Sequence, residues 1–280
     1  MLKTAVIGML VLLCLAGGAS AQVGENAPPE FLEGRGEFEM VLIHGLGASS
    51  EIWNGVIPYL SGTFKVWTFE LGGHGQTQPF ADPTIEKEAE RLAEFLKAEG
   101  IAYPTLVGHG LGGMIALQYS LDHPADVHRL VMIDSAPRQL ATQEQKADVA
   151  RALVENYDQF IFNRYSSMSP EPDITEDIVD MALRTHRVSF TSLLMSSFDY
   201  DVTSRLRELT VPLLVVGSEL LFPNPETSKQ VLHQIGFGMA TSLTFKRMGL
   251  TGHYVMLERP PYTASVLLAF GVTADYEFDQ

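Results

Sequence analysis

The sequence predicts a doubly wound α/β fold, with a mostly parallel sheet, helices on both faces and a helical insertion late in the chain. Two observations carry this expectation. Short apolar runs with β-branched members alternate with stretches whose apolar residues recur at helical spacing, and the runs end in glycine turns. The alternation then lapses between Pro137 and Leu209, where the pattern is mostly helical and holds no convincing strand.

Phe38 to Ile43 is the first clear strand, and it stops at His44-Gly45-Leu46-Gly47. Glu51 to Leu60 follows as a helix, with Ile52, Trp53, Val56, Ile57 and Leu60 on one side. Phe64 to Phe69 is a second strand, ending in Glu70-Leu71-Gly72-Gly73-His74-Gly75. Thr84 to Glu99 is an amphipathic helix. Thr84 suits its N-cap, and Ile85, Ala89, Leu92, Ala93 and Leu96 form its inner stripe. Gly100 suits the position after its end, where a left-handed residue closes the helix.

Tyr103 to Val107 reads as the next strand and leads through Gly108-His109-Gly110-Leu111-Gly112-Gly113 into a helix that stops before Pro124. Arg129 to Ile133 is a strand ending at Asp134. The insertion is expected to hold helices over Ala141 to Tyr157, Ile174 to His186 and Phe190 to Phe198. Met168, Met181, Met195, Phe160, Phe162 and Phe198 lie within it, most of them read as its own core and some as walls of an apolar pocket. The sheet resumes at Val211 to Val216, followed by a helix over Glu226 to Ile235. A short strand over Leu243 to Phe245 and a closing helix over Tyr262 to Phe270 complete the pattern.

The first residues read as a targeting segment. Lys3 supplies a charged start, Ala5 to Leu15 an apolar stretch, and Ala19-Ser20-Ala21 a cleavage site, so the mature chain is expected to begin at Gln22. That stretch is too short to span a membrane, which takes about 20 residues, and the expected location is secreted or periplasmic with no stable membrane anchor. Three parts follow: residues 1–21 as signal peptide, 22–137 with 206–280 as the α/β core, and 138–205 as a helical cap. Cys14, the lone cysteine, falls in the segment to be removed, which leaves neither disulfides nor thiolate chemistry. The formal charge of −15 disfavours nucleic acid as a partner. No motif calls for a cofactor. His74 among its glycines has no partner at metal-ligand spacing, so no metal is expected either.

Strand, tight glycine turn and helix around Gly108-His109-Gly110-Leu111-Gly112 form the setting of the nucleophile elbow, G-x-S-x-G. The position of the serine is held by Gly110. The frame of a serine-type site is therefore present without the atom that attacks.

Five segments in order, His44 to Gly47, Gly72 to Gly75, Val107 to Gly113, Val211 to Gly217, and Gly252-His253 with Glu258-Arg259-Pro260, make the chain resemble the α/β-hydrolase family. The resemblance is to the branch with a helical cap between the sixth and seventh strands of the family's count, and it spans roughly residues 36 to 271. It implies an ester or acyl hydrolase whose nucleophile, acid and histidine follow in that chain order. His253 matches the histidine. Leu46 and Leu111 match the residues whose backbone N–H groups form the oxyanion hole. The usual acid position is occupied by Leu220; counting back from Pro223 makes Glu219 the first candidate acid, with Asp134 as the alternative. His44, His74 and His109 read as loop-shaping residues.

Glycine in place of the elbow serine removes a backbone strain of order 1–3 kcal/mol and the nucleophile together. Three readings stay open. His253 activates a water against an ester or similar acyl bond; or the protein is a non-catalytic binder of a small ester-like or apolar ligand in a capped pocket; or Gly110 replaces the serine of a working hydrolase.

Overall fold

A computed structural model describes residues 31–32 and 38–272. The targeting segment and the cleavage site lie outside the described residues. Seven strands form one sheet: β1 (Phe31–Leu32), β2 (Phe38–Ile43), β3 (Phe64–Phe69), β4 (Thr105–His109), β5 (Arg129–Ile133), β6 (Leu213–Ser218) and β7 (Leu243–Met248). Their order is β1-β3-β2-β4-β5-β6-β7. β1 runs antiparallel to β3, and every other pair is parallel. Strands β4, β5 and β6 are buried along their whole length, the cause of their apolar middles.

The helices are α1 (Ile57–Leu60), α2 (Ile85–Ala98), α3 (Leu111–Asp122), α4 (Gln143–Glu155), α5 (Tyr157–Tyr165), α6 (Pro172–Arg184), α7 (Arg187–Asp199), α8 (Ser228–Gln234), α9 (Val255–Glu258) and α10 (Pro260–Val272). Thr84 caps α2 by accepting from the Lys87 N–H, and Gly100 closes it at φ +66°. α3 is buried from Leu111 through Leu121 because the sheet and α2 enclose it, which erases any polar face from its sequence.

Numbered from the first described strand, the insertion lies between β5 and β6 and holds α4 to α7. Its neck is pinched where Arg138 and Asp201 form an isolated antiparallel bridge and Val202 N–H donates to the Pro137 carbonyl at 3.0 Å. Its own core gathers Ile161, Ile178, Ala182, Phe190, Leu193 and Leu194, with Tyr157 edge-on to Phe190 at 5.8 Å.

Several expected elements are redrawn. The helix expected over Glu51 to Leu60 is a 3-10 turn over Ser50–Trp53 and the single turn α1, because Gly55 packs where a Cβ would lie 3.1 Å from Pro260 and Pro58 cannot donate a backbone bond. The helix expected over Ala141 to Tyr157 ends at Asn156. The Asn156 side chain instead caps α5 by accepting from the Gln159 N–H, and α5 itself was not expected. β4 begins at Thr105, after Tyr103 at φ +57° and Pro104. β7 continues three residues past Phe245 because its pairing with β6 runs to Ser218↔Met248.

The chain moves from β2 outward to β3 and returns across β2 to β4, so the order of strand addition reverses between β2 and β4. A crevice at the carboxyl ends of such neighbouring strands is where ligands bind in open α/β sheets.

Candidate active site

β2 delivers His44 to Gly47 to one lip of this crevice, and β4 delivers Gly110 and the start of α3 to the other. Gly110 N-caps α3 at φ +53° and ψ −117°, a backbone conformation that side chains rarely adopt. Its neighbours enforce the corner. A Cβ at Gly108 would lie 2.3 Å from the Gly112 carbonyl oxygen, and one at Gly112 would lie 2.4 Å from that of His44. No larger residue fits at either place. At Gly110 the space is open: an ideal Cβ there meets His253 Nε2 at 3.4 Å and nothing nearer.

The other ring nitrogen of His253, Nδ1, lies 3.1 Å from Asp134 Oδ2. Asp134 follows β5, with its side chain 1% exposed and its backbone at φ +43°. The Ser218 N–H donates to Oδ1 at 2.6 Å, and the Ser218 hydroxyl donates to Oδ2 at 2.5 Å. A carboxylate so surrounded accepts from Nδ1–H, which leaves Nε2 unprotonated and facing the Gly110 position.

This corrects the preferred acid. Glu219 lies one residue beyond β6, where the chain has turned to the surface. It accepts from the Leu250 N–H at 2.7 Å and pairs with Arg247 at 3.2 Å, so it fastens two loops and makes no contact with His253. The Leu250 bond and the Arg247 charge hold its carboxyl below the usual range. Asp134, second in the sequence reading, is the carboxylate beside the histidine. The expected residues Gly110, His253, Asp134, Leu46 and Leu111 are brought together around one cavity, and Glu219 is left outside it.

The two residues that the resemblance implies as backbone donors, Leu46 and Leu111, both border the cavity. Leu111 is the first residue of α3, whose opening N–H groups have no partner within the helix. Leu46 lies in the opposing loop, and the Tyr165 hydroxyl donates to its carbonyl at 2.6 Å, tying that loop to the cap. Burial pushes the Tyr165 hydroxyl up to about 12, so it remains a donor. The Ser135 hydroxyl donates to the Gly110 carbonyl at 2.6 Å and steadies the corner from β5.

His109 is buried; its Nε2 lies 3.0 Å from the His253 carbonyl oxygen, to which an Nε2–H donates. Burial holds its pKa well below the usual histidine value, so it braces the His253 loop as a neutral group. His44 and His74 lie behind the Leu46 loop, ring centroids 5.3 Å apart. His44 Nε2 approaches Glu70 Oε1 at 2.8 Å. Among the described residues no group of three or more His, Cys, Asp and Glu side chains gathers as a metal site.

The cavity encloses about 260 Å³ between the sheet's edge and the cap. Of the six methionines and phenylalanines singled out in the cap, Met168 lines it, beside Met114 of α3. The Met168 carbonyl also accepts from the His253 N–H at 2.6 Å, so the cap touches the base directly. Two cationic residues that the sequence reading missed line the cavity as well, Arg138 and Arg164. Neither stands in a motif, and only the folded cap aims them inward.

The sequence model of the family described as alpha/beta hydrolase fold matches residues 40–260. Over 99 residues, 35% of this chain, the sequence is 36% identical to the pimeloyl-[acyl-carrier protein] methyl ester esterase of Aromatoleum aromaticum, and the match spans 38% of that protein. An uncharacterised protein of Mycobacterium tuberculosis is 38% identical over 97 residues, 34% of this chain and 28% of that protein. Among solved structures, a thermophilic esterase from Thermogutta terrifontis superposes with a TM-score of 0.76 at 20% identity, over 86% of this chain and 92% of that one. The enol-lactonase from Burkholderia xenovorans gives 0.73 at 19% identity, over 83% and 90%. At such identities the likeness is one of fold.

Proposed function

Because this chain belongs to the α/β-hydrolase fold family, we propose that it is an ester or acyl hydrolase by descent whose nucleophile is absent at Gly110. Turnover, where it occurs, proceeds through a water activated by His253 or after a hydroxyl is restored at the elbow. The observation that carries this reading is the Asp134–His253 pair, with Nε2 facing the Gly110 position across 3.4 Å. The esterase among the relatives supports the same reaction class. Export to the periplasm or the medium, read from the leader, is part of the proposal.

In the water route, Nε2 takes a proton from water as its oxygen bonds to the acyl carbon. The carbonyl oxygen gains charge against the Leu46 and Leu111 N–H groups. Collapse breaks the carbon–oxygen bond to the alcohol, which receives the proton back from His253, giving one acid and one alcohol. An oxyanion hole and binding alone leave about 10³–10⁴-fold catalysis over water when a triad is incomplete.

The second reading, a ligand-binding relative without turnover, is favoured by Gly110 itself. A panel of activated esters given to the parent, Gly110→Ser and His253→Ala separates them. Parent activity that disappears in His253→Ala supports the water route. Gly110→Ser active with a parent no better than His253→Ala supports a silent binder. A folded Gly110→Ser protein that cleaves no ester on the panel would sink the hydrolase reading.

A further inference from the structure

We infer that the cavity takes a substrate carrying a carboxylate at the end remote from its ester, gripped by Arg164 of the cap with Arg138 of its neck. Arg164 lies in the last turn of α5, where a cation complements the helix dipole by simply facing water. It does not face water alone: it lines the cavity, and its Nε is buried without a hydrogen-bond partner. Its guanidinium lies beside the Tyr165 hydroxyl, the group that holds Leu46.

Among the described residues no acidic side chain pairs with Arg164. Of the surface arginines, Arg205 has Asp122 and Glu208 and Arg247 has Glu219, whereas Arg207 and Arg259 bond to backbone carbonyls; Arg164 differs from these in lining the cavity. Arg138 repeats the pattern more weakly. Its Nε is also buried without a partner, one Nη donates to the Gln234 carbonyl at 3.0 Å, and the nearest carboxylate, Asp201, is 4.0 Å away. The one carboxylate in the cavity wall, Asp134, is engaged by His253 and Ser218.

The cavity wall is therefore cationic in a chain of net charge −15. A partly desolvated guanidinium without a counter-charge is costly, and a ligand carboxylate removes that cost when it binds. The planar fork of arginine matches a carboxylate in two parallel bonds. A volume of about 260 Å³ limits the ligand to a small molecule. Together these features select a half-ester of a short dicarboxylic acid over a neutral ester.

This inference rests on the acyl-hydrolase reading, and the test keeps the two apart. Monomethyl succinate and dimethyl succinate are titrated calorimetrically into the protein, into Arg164→Gln and into Arg164→Lys, at low and high salt. The expected result is binding of the half-ester about tenfold or more tighter than the diester, weakened by salt. The preference is lost in Arg164→Gln and reduced in Arg164→Lys, where the charge remains but the fork does not. Equal affinity of the unaltered protein for the two esters overturns this inference and leaves the hydrolase reading standing, whatever the variants do. A preference that survives intact in folded Arg164→Gln overturns the role of Arg164. Binding of neither ester overturns this inference, and the hydrolase reading is then judged on the Gly110→Ser ester panel alone.

Discussion

The acid assignment predicts opposite outcomes for two carboxylates, read in the Gly110→Ser background. Asp134→Asn keeps the shape of the side chain but replaces one acceptor with an NH₂ donor. If the amide oxygen stays on the Ser218 N–H, 2.6 Å away, the NH₂ takes the place of Oδ2, 3.1 Å from His253 Nδ1. Nδ1 must then accept, the ring proton moves to Nε2, and the base facing residue 110 is lost. The flipped amide sets its NH₂ against the Ser218 N–H, and a buried donor left unmade costs about 1–3 kcal/mol. The inverted tautomer is therefore the favoured outcome. In serine protease triads the equivalent change lowers kcat on the order of 10⁴-fold, a barrier increase of about 5 kcal/mol. Glu219→Gln, whose carboxylate touches Leu250 and Arg247 and not His253, leaves kcat/KM unchanged. The assay is kcat/KM on an activated aryl ester at neutral pH, with a thermal melt of each variant to confirm folding. A folded Asp134→Asn protein within about tenfold of its parent, with turnover abolished by Glu219→Gln, would refute the reasoning.

Gly110→Ser itself is expected to fold, because its Cβ meets no atom nearer than 3.4 Å; strain of order 1–3 kcal/mol at φ +53°, partly offset through the unfolded chain, lowers Tm by at most about 10 °C in a calorimetric scan. Gly112→Ala sets a Cβ 2.4 Å from the His44 carbonyl oxygen and is expected to abolish soluble folded protein, whereas Gly62→Ala, with nothing within 4 Å, leaves Tm unchanged; similar melts for both would show that the corner is not held by close packing. His74 is held neutral in the fold, its pKa lowered from 6.5 to about 3 by burial and by the His44 charge. The unfolded chain then binds the extra proton between these values, so stability is full above about pH 6.5 and declines as pH falls toward 3. In His74→Gln the fall of Tm across that window is expected to be shallower than in the parent, and equal slopes would count against the assignment.

Much of the fold was legible because its signals are local. β2 and β5 match the expected runs residue for residue, and α2 has the expected N-cap and closing glycine, since strand burial and helix caps both write themselves into short stretches of sequence. The elbow was legible for the same reason: Gly108 and Gly112 sit at positions that backbone contacts dictate, on either side of the positive-φ corner at Gly110. The acid was not, because counting along a loop carries no information about where that loop faces. β6 runs on to Ser218, which places Glu219 past the turn, while the hydroxyl and N–H that cradle Asp134 come from a strand 84 residues away. The break at Asn156 was visible in principle, since asparagine is a favoured N-cap, but the apolar periodicity continues through it and masks the boundary. Arg138 and Arg164 leave no sequence signal, for only the folded cap brings them to the cavity wall.

The short bond from the His253 N–H to the Met168 carbonyl has a mechanical consequence. Gly252, one residue earlier, leaves no room for slack: a Cβ there would lie 2.2 Å from that same carbonyl oxygen. The insertion is thus a bearing on which the base rests, and excising residues 138–205 would remove a roof and a mooring in one cut. Grafting a foreign lid onto this scaffold succeeds where the graft returns a carbonyl to that point, whatever pocket it brings with it.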